Sequence, residues 1–165
     1  MRLKEYDYAS AGAYFITAVT HNRMNIFGSI HNSVVHLNQI GKIVERAWLE
    51  IPSHYPNVSI DANVIMPNHF HGTLIIHDDV GARRASPLRN NDSKLKRHPL
   101  GIIVGSFKSA ATKEIHRSGF LKQKQIWQRN YYDHIIRDDE DYQEISEYID
   151  FNPINWEFDH ENKAK

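Results

Sequence analysis

Two histidines separated by one residue are the sharpest chemical feature of this sequence. His69 and His71 flank Phe70 in a run rich in β-branched and aromatic residues, which predicts a strand. Successive side chains of a strand point to opposite faces, so we expect both imidazoles to project together while Phe70 faces the core. Two neutral imidazoles so placed can chelate a divalent metal ion if further ligands are available. Because the chain holds 11 histidines, a chance pair is the other interpretation.

A phenol and an amide share one face of a predicted helix near the end of the chain. Tyr148 and Asn152 lie four residues apart, which stacks them one turn apart on the same face. Asp138 or Asp139 can cap this helix, and Pro153 disfavours helical geometry for the residue before it. The tyrosine can be a nucleophile or pack beside the core, and the asparagine can be a metal ligand or only end the helix.

The elements that position these residues follow from the periodicity of apolar residues. In chain order, we predict a strand at 14–20, a helix at 40–51, strands at 58–66 and 70–76 joined by a turn at Pro67-Asn68, a helix at 100–116, a short strand at 125–128 and a helix from 138 to 152. This order predicts an α+β fold, a ferredoxin-like (RRM-like) sandwich with helices on one face of an antiparallel sheet and an added C-terminal helix.

The composition narrows the class of protein. A length of 165 residues fits one domain spanning 1–165. The absence of cysteine excludes disulfide scaffolds, cysteine-based zinc sites and thiol nucleophiles, and is typical of a reducing compartment. No stretch approaches the roughly 18 uninterrupted apolar residues of a membrane span, and the first residues contain no apolar signal region. We therefore expect a cytoplasmic protein with no membrane partner.

Positive charge is concentrated in one segment, although 20 Lys and Arg balance 20 Asp and Glu overall. Between residues 83 and 129 the chain carries 12 basic and two acidic residues. The polar stretch 77–99, interrupted by glycine, proline and asparagine, predicts a flexible basic loop. Such a segment is either a solvated loop or a surface that binds phosphates.

Three ordered blocks of this sequence resemble the HUH single-strand DNA transposases with one catalytic tyrosine, most closely the REP-associated tyrosine transposases. The blocks read VIMPNHFHG at 64–72, WQRNYYDHIIR at 127–137 and YIDFNP at 148–153. The resemblance extends from Tyr14 through Trp156, which is most of the chain. Three blocks in the same order are far more specific than any one of them.

The resemblance implies roles for the residues already singled out. His69, His71 and Asn152 would hold Mg²⁺ or Mn²⁺, and Tyr148 would attack a DNA phosphate to give a 5′-phosphotyrosine and a free 3′-hydroxyl. An unperturbed phenol, with a pKa near ~10, is a poor nucleophile. A bound cation that polarises the phosphate is therefore a plausible source of activation.

Other residues of the second block compete for a role in catalysis or in DNA binding. Tyr131 and Tyr132 are rival nucleophiles, but neither has a ligand partner one turn later, so we rank Tyr148 first. Stacking on bases and contact with phosphates are the roles we expect for the DNA-binding candidates, with core packing as the alternative for those of the second block. The candidates are Lys108, Lys113, Arg129, Trp127 and Tyr131.

The leading hypothesis is a metal-dependent DNA transposase or nickase that cleaves and rejoins single-stranded, hairpin-forming DNA. A catalytically silent module that binds single-stranded nucleic acid is the main alternative, since sheets with exposed aromatic residues also bind RNA. A hydrolase that uses the histidine pair to activate water is a third hypothesis. We expect a monomer, with a dimer as the alternative, located in the cytoplasm and at the nucleoid when bound to DNA.

Overall fold

A computed structural model describes residues 7–78 and 98–162, so nearly all of the predicted basic loop at 77–99 lies outside the described residues. The strands are β1 (Gly12–Val19), β2 (Gly28–His31), β3 (Val34–Leu37), β4 (Val58–Ile65), β5 (His69–Ile76) and β6 (Tyr132–Ile136). The helices are α1 (Gln39–Leu49), α2 (Ile51–His54), α3 (Leu100–Ser118) and α4 (Asp139–Phe151). None of the helices in these ranges is long and apolar enough to cross a membrane.

The main sheet has the strand order β4-β5-β1-β6, and every neighbouring pair is antiparallel. With helices between β1 and β4 and between β5 and β6, this is the split arrangement of a ferredoxin-like sandwich. The predicted fold class is therefore confirmed. The backbone N–H of Met66 donates to the carbonyl of His69 at 2.8 Å and closes the predicted turn between β4 and β5.

One face of the sheet is covered by α1 and α3. Phe70 is fully buried there, with its ring centroid 4.5 Å from that of Trp48 on α1 and 5.2 Å from that of Phe107 on α3. Gly72 is the next residue of β5 on this face, and a Cβ at that position would stand 2.7 Å from the Trp48 ring. The lack of a side chain at Gly72 lets α1 pack directly against the strand that carries the histidine pair.

The other face of the sheet is occupied by α4. Asp138 caps this helix by accepting a hydrogen bond from the backbone N–H of Asp141 at 2.9 Å, as predicted. The Asp141 carboxylate also lies 2.9 Å from Nε2 of His134 on β6, and the Tyr142 hydroxyl donates to Asp61 on β4. Contacts with both edge strands therefore fix the helix across the sheet.

Two features of the sheet differ from the prediction. The fourth strand is β6 and not the run at 125–128, because β6 pairs with β1 over five residues whereas Trp127 makes one isolated bridge with Thr20. The hairpin of β2 and β3 was not predicted. Both segments are short, and short strands are identified by the partner they pair with more than by their own residues.

Candidate active site

The histidine pair lies side by side on the face of β5 opposite Phe70, as the alternation of the strand predicts. The ring centroids of His69 and His71 are 4.5 Å apart, and both side chains are buried. Burial lowers the pKa of His69, partly opposed by the carboxylates of Asp159 and Glu161. Burial also brings the pKa of His71 well below its usual value. Both rings are therefore neutral near pH 7 and can donate a lone pair.

Hydrogen bonds fix the orientation of each ring. Nδ1 of His71 lies 2.8 Å from Oγ1 of Thr17, its cross-strand neighbour on β1. Nδ1 of His69 lies 2.8 Å from Oδ1 of Asn68. The Asn68 amide NH₂ donates to two backbone carbonyls, so its oxygen faces the ring and can only accept. His69 therefore carries its proton on Nδ1 and keeps a lone pair on Nε2.

A carboxylate that the sequence analysis did not single out completes a cluster of three groups. Oδ2 of Asp159 lies 3.6 Å from Nε2 of His69, and the candidate ligand atoms of His69, His71 and Asp159 all lie within 4.8 Å of one another. Two imidazole nitrogens and one carboxylate oxygen suit a divalent cation. The only sequence signal for Asp159 is the general acidity of the C-terminal segment.

Three residues, which we call the C-terminal latch, hold the segment of Asp159 in place. They are Arg23, Asn68 and Glu161. Nε of Arg23 donates to Oε2 of Glu161 at 2.8 Å, and the Asn68 amide donates to the backbone carbonyls of Glu161 at 2.8 Å and of Arg23 at 3.2 Å. The latch joins the chain after α4 to the turn that begins β5.

The predicted nucleophile lies next to the histidine pair. The hydroxyl of Tyr148 is 3.4 Å from Nε2 of His71, and its ring packs edge-on against Phe15 of β1. Partial burial raises the pKa of Tyr148, the charge of Asp159 adds to this, and the Asn152 side chain opposes it. The phenol is therefore protonated at neutral pH, and a nearby positive charge would favour its ionised form.

Two buried polar atoms at this site have no hydrogen-bond partner among the described residues, and their chemistry indicates whether these residues fit a cation. Within the described part of the chain, Nε2 of His69 and Oδ1 of Asn152 are buried and have no hydrogen-bond partner. A buried polar atom without a hydrogen-bond partner lowers the free energy of unfolding by about 1 to 3 kcal/mol. Both are lone-pair donors of the types that bind divalent cations, and Asn152 lines the same cavity as Tyr148 and Asp159. The donor set fits a divalent metal ion.

The rival tyrosines have different surroundings. Tyr131 is partly buried against the core. Tyr132 is 52% exposed on β6, opposite Thr17. Because Thr17 also pairs with His71 on its other side, Tyr132 lies on the same face of the sheet but two strands away. Tyr148 is the tyrosine that contacts His71.

The predicted DNA contacts do not form one surface around the cluster. Trp127 is 5% exposed, with its ring 5.1 Å from Phe27 and 5.9 Å from Phe107 between centroids, so it packs in the core. Nζ of Lys108 donates to two backbone carbonyls at 2.7 and 3.0 Å. Trp127 therefore packs in the core and Lys108 bonds the protein's own backbone in this structure.

The two remaining basic candidates lie in separate clefts. Arg129 lines an open cleft of about 290 Å³ together with Lys108 and Lys124. Lys113 lines a cleft of about 410 Å³ between α1 and α3 with Arg46 and Arg117. The second cleft belongs to the helical layer, on the opposite side of the sheet from the histidine pair.

Comparison with known proteins shows which proteins this chain is similar to. No family model matches the sequence. A protein of Haemophilus influenzae that is uncharacterized is 42% identical over 163 residues, spanning 96% of this chain and 89% of that protein. Another protein of that organism, named provisionally as a REP-associated tyrosine transposase, is 27% identical over 152 residues, spanning 90% of this chain and 73% of its own. The chain is similar in sequence to a protein named as a REP-associated tyrosine transposase, in agreement with the resemblance of its three sequence blocks.

Solved structures agree at the level of the fold. A REP-associated tyrosine transposase bound to a REP hairpin aligns with a TM-score of 0.60 at 20% identity, covering 94% of this chain and 74% of that one. A protein of Deinococcus radiodurans described provisionally as a transposase gives 0.53 at 15% identity, covering 91% and 95%. The shared fold agrees with the resemblance to HUH-type transposases.

Proposed function

We propose that this protein is a metal-dependent DNA transposase or nickase that cleaves and rejoins single-stranded, hairpin-forming DNA through a 5′-phosphotyrosine at Tyr148. The contact that best supports the proposal is the 3.4 Å approach of the Tyr148 hydroxyl to His71, inside a cluster of metal-ligand groups. The hairpin substrate is proposed from the relative whose structure contains a REP hairpin.

Four residues would hold the metal ion. His69, His71 and Asn152 are the ligands that the resemblance implies, and the position of Asp159 adds a carboxylate. When bound, Mg²⁺ or Mn²⁺ supplies positive charge that polarises the attacked phosphate and favours the phenolate. The anionic oxygen of Asp159 suits such hard cations better than a second amide would.

The transfer step needs no external energy source. The hydroxyl oxygen of Tyr148 loses its proton to solvent and bonds to phosphorus, the bond from phosphorus to the 3′ oxygen breaks, and that oxygen takes up a proton. Attack of a 3′-hydroxyl on the phosphotyrosine reverses these changes and rejoins DNA. One phosphoester bond replaces another in each direction, while α4 keeps the tyrosine at the site.

The proposal is tested by incubating labelled single-stranded hairpin oligonucleotides with Mn²⁺ and separating the products on a denaturing gel. We expect a covalent protein–DNA band with the wild type and with Tyr132→Phe, and none with Tyr148→Phe. Tyr132→Phe is a matched control because it removes a more exposed hydroxyl on the same face of the sheet. Cleavage by Tyr148→Phe without an adduct would instead support the water-activating hydrolase, and binding without cleavage by the wild type would support the silent module.

A further inference from the structure

A cavity of about 240 Å³ lies beside Tyr148. The transfer step gives no role to the side of this cavity that Phe158 and Asn155 line. The lining residues of the cavity are Tyr148, Asn152, Asn155, Phe158, Asp159 and His160. We call it the Phe158 cavity. Pockets for drug-sized ligands measure roughly 300 to 1,000 Å³, so this cavity suits a smaller group, of the size of one planar ring system.

The Phe158 side chain of this cavity is unusually exposed. Phe158 is 88% exposed, more than Phe151 at 52% or Phe120 at 56%. Its backbone is nevertheless held, because its N–H donates to the carbonyl of Asn155 at 2.9 Å. The following residue, Asp159, belongs to the candidate metal cluster. The ring is therefore an apolar surface carried by a held backbone segment beside the proposed nucleophile, and the π-face of a nucleobase is a suitable partner for it.

The polar groups of the Phe158 cavity favour a neutral occupant. Within the described residues its lining contains no lysine or arginine, and it includes the carboxylate of Asp159. The proposed function commits Asn152 and Asp159 to the metal ion and Tyr148 to the attacked phosphate, so the described lining offers no further strong cation for a second phosphate. An uncharged base can instead use the amide of Asn155, which offers both a donor and an acceptor.

We propose that the Phe158 cavity holds the base of a nucleotide next to the phosphate that Tyr148 attacks, stacked on the ring of Phe158. The inference rests on the proposed function, because Tyr148 lines the same cavity. Phe158 is then a positioning residue, which selects the phosphate presented to Tyr148 by holding a neighbouring base. Asn155 is the polar group available to the edge of that base.

Fluorescence of 2-aminopurine tests the subsite without cleavage. Hairpin oligonucleotides carry this base at each position of a single-stranded flank in turn, and binding is measured in a chelator so that no metal ion is present. We expect quenching at one position with the wild type, loss of that quenching with Phe158→Leu, and no change with the control Phe120→Leu, which follows α3 in the helical layer. Removing the base at that position should weaken wild-type binding by about 5-fold or more, with no further loss in Phe158→Leu.

Equal quenching by the wild type and Phe158→Leu at every position, or no position-specific quenching by the wild type, would overturn the subsite. Thermal unfolding checks that Phe158→Leu remains folded, as expected for so exposed a ring.

The Mn²⁺-dependent adduct is measured separately on the same variants. An adduct of unchanged position and yield in Phe158→Leu refutes the subsite while the proposed function stands. Phe158-dependent quenching without any adduct refutes the tyrosine chemistry instead.

Discussion

At the scale of single residues, a hydrogen bond fixes the orientation of each histidine ring in the cluster, and at His69 it also fixes which ring nitrogen carries the proton. The sequence predicts the pair and its shared face, because alternation along a strand depends only on local geometry. It does not predict that Asn68 fixes the tautomer of His69 or that Thr17 contacts His71, since those contacts depend on how turn and strands meet. Loss of a partner of this kind typically weakens metal binding by about 10- to 100-fold.

Replacing Asn68 by Ala should weaken Mn²⁺ binding by about 10- to 100-fold, because the Nδ1 proton of His69 loses its acceptor and the C-terminal latch loses one of its members. Isothermal titration of the protein with Mn²⁺ alone measures this without any DNA. Asn63→Ala on β4, whose amide bonds only a nearby backbone carbonyl, is the control and should bind as the wild type does. The same affinity in both variants would show that Asn68 has no such role.

The carboxylate of Asp159 should contribute directly to cation binding. Asp159→Asn keeps the shape of the side chain and removes its charge, so we expect weaker Mn²⁺ binding by the same titration. Asp150→Asn is the control, since that carboxylate is exposed on α4 and lies outside the cluster. An unchanged affinity in Asp159→Asn would remove Asp159 from the ligand set.

At the scale of elements, the site is assembled from segments that are distant along the chain. The hairpin of β4 and β5 supplies the histidines, α4 supplies Tyr148 and Asn152, and the chain after α4 supplies Asp159. The position of that last segment depends on the C-terminal latch, which no periodicity or motif predicts. This is why sequence analysis finds three of the residues we assign as ligands and misses the fourth.

Reversing the ion pair of the latch tests its role in positioning. Arg23→Glu alone and Glu161→Arg alone should each weaken Mn²⁺ binding by roughly 2- to 5-fold, the effect of losing one partly exposed ion pair. The double variant restores the pair with opposite polarity and should recover most of the affinity. Binding that is unchanged in the single variants, or not recovered in the double variant, would mean that the latch does not position Asp159.

At the scale of the whole molecule, the fold class, the two covering helices and the added helix follow from periodicity, caps and the turn at Pro67-Asn68. The fourth strand does not, because residues 125–128 and 132–136 both contain strand-forming types and only pairing with β1 distinguishes them. Trp127 illustrates the same limit. Its sequence context suits base stacking, while the packed core encloses its ring.

The buried histidines should make the stability of the metal-free protein depend on pH. Their pKa values are lowered in the folded state, so below about pH 6.5 the unfolded chain binds more protons. The free energy of unfolding should be highest above that pH and fall as the pH decreases, by at most about 1.4 kcal/mol per pH unit for each histidine. Urea unfolding between pH 7.5 and 5 measures the slope.

His71→Gln should flatten this slope, whereas His31→Gln, at an exposed position on β2, should leave it unchanged. The comparison is made in a chelator, because a bound cation would compete with protons for the same nitrogens. A slope that is the same in all three proteins would contradict neutral burial of His71.

The central claim is that Tyr148 forms the covalent bond to DNA, and mass spectrometry of the adduct tests it most directly. The protein is incubated with Mn²⁺ and a single-stranded hairpin oligonucleotide, digested with a protease and a nuclease, and its peptides are sequenced. We expect a nucleotide mass on the peptide that contains Tyr148, with the modification on that residue. A nucleotide on Tyr131 or Tyr132, or cleaved DNA with no modified peptide, would contradict the account.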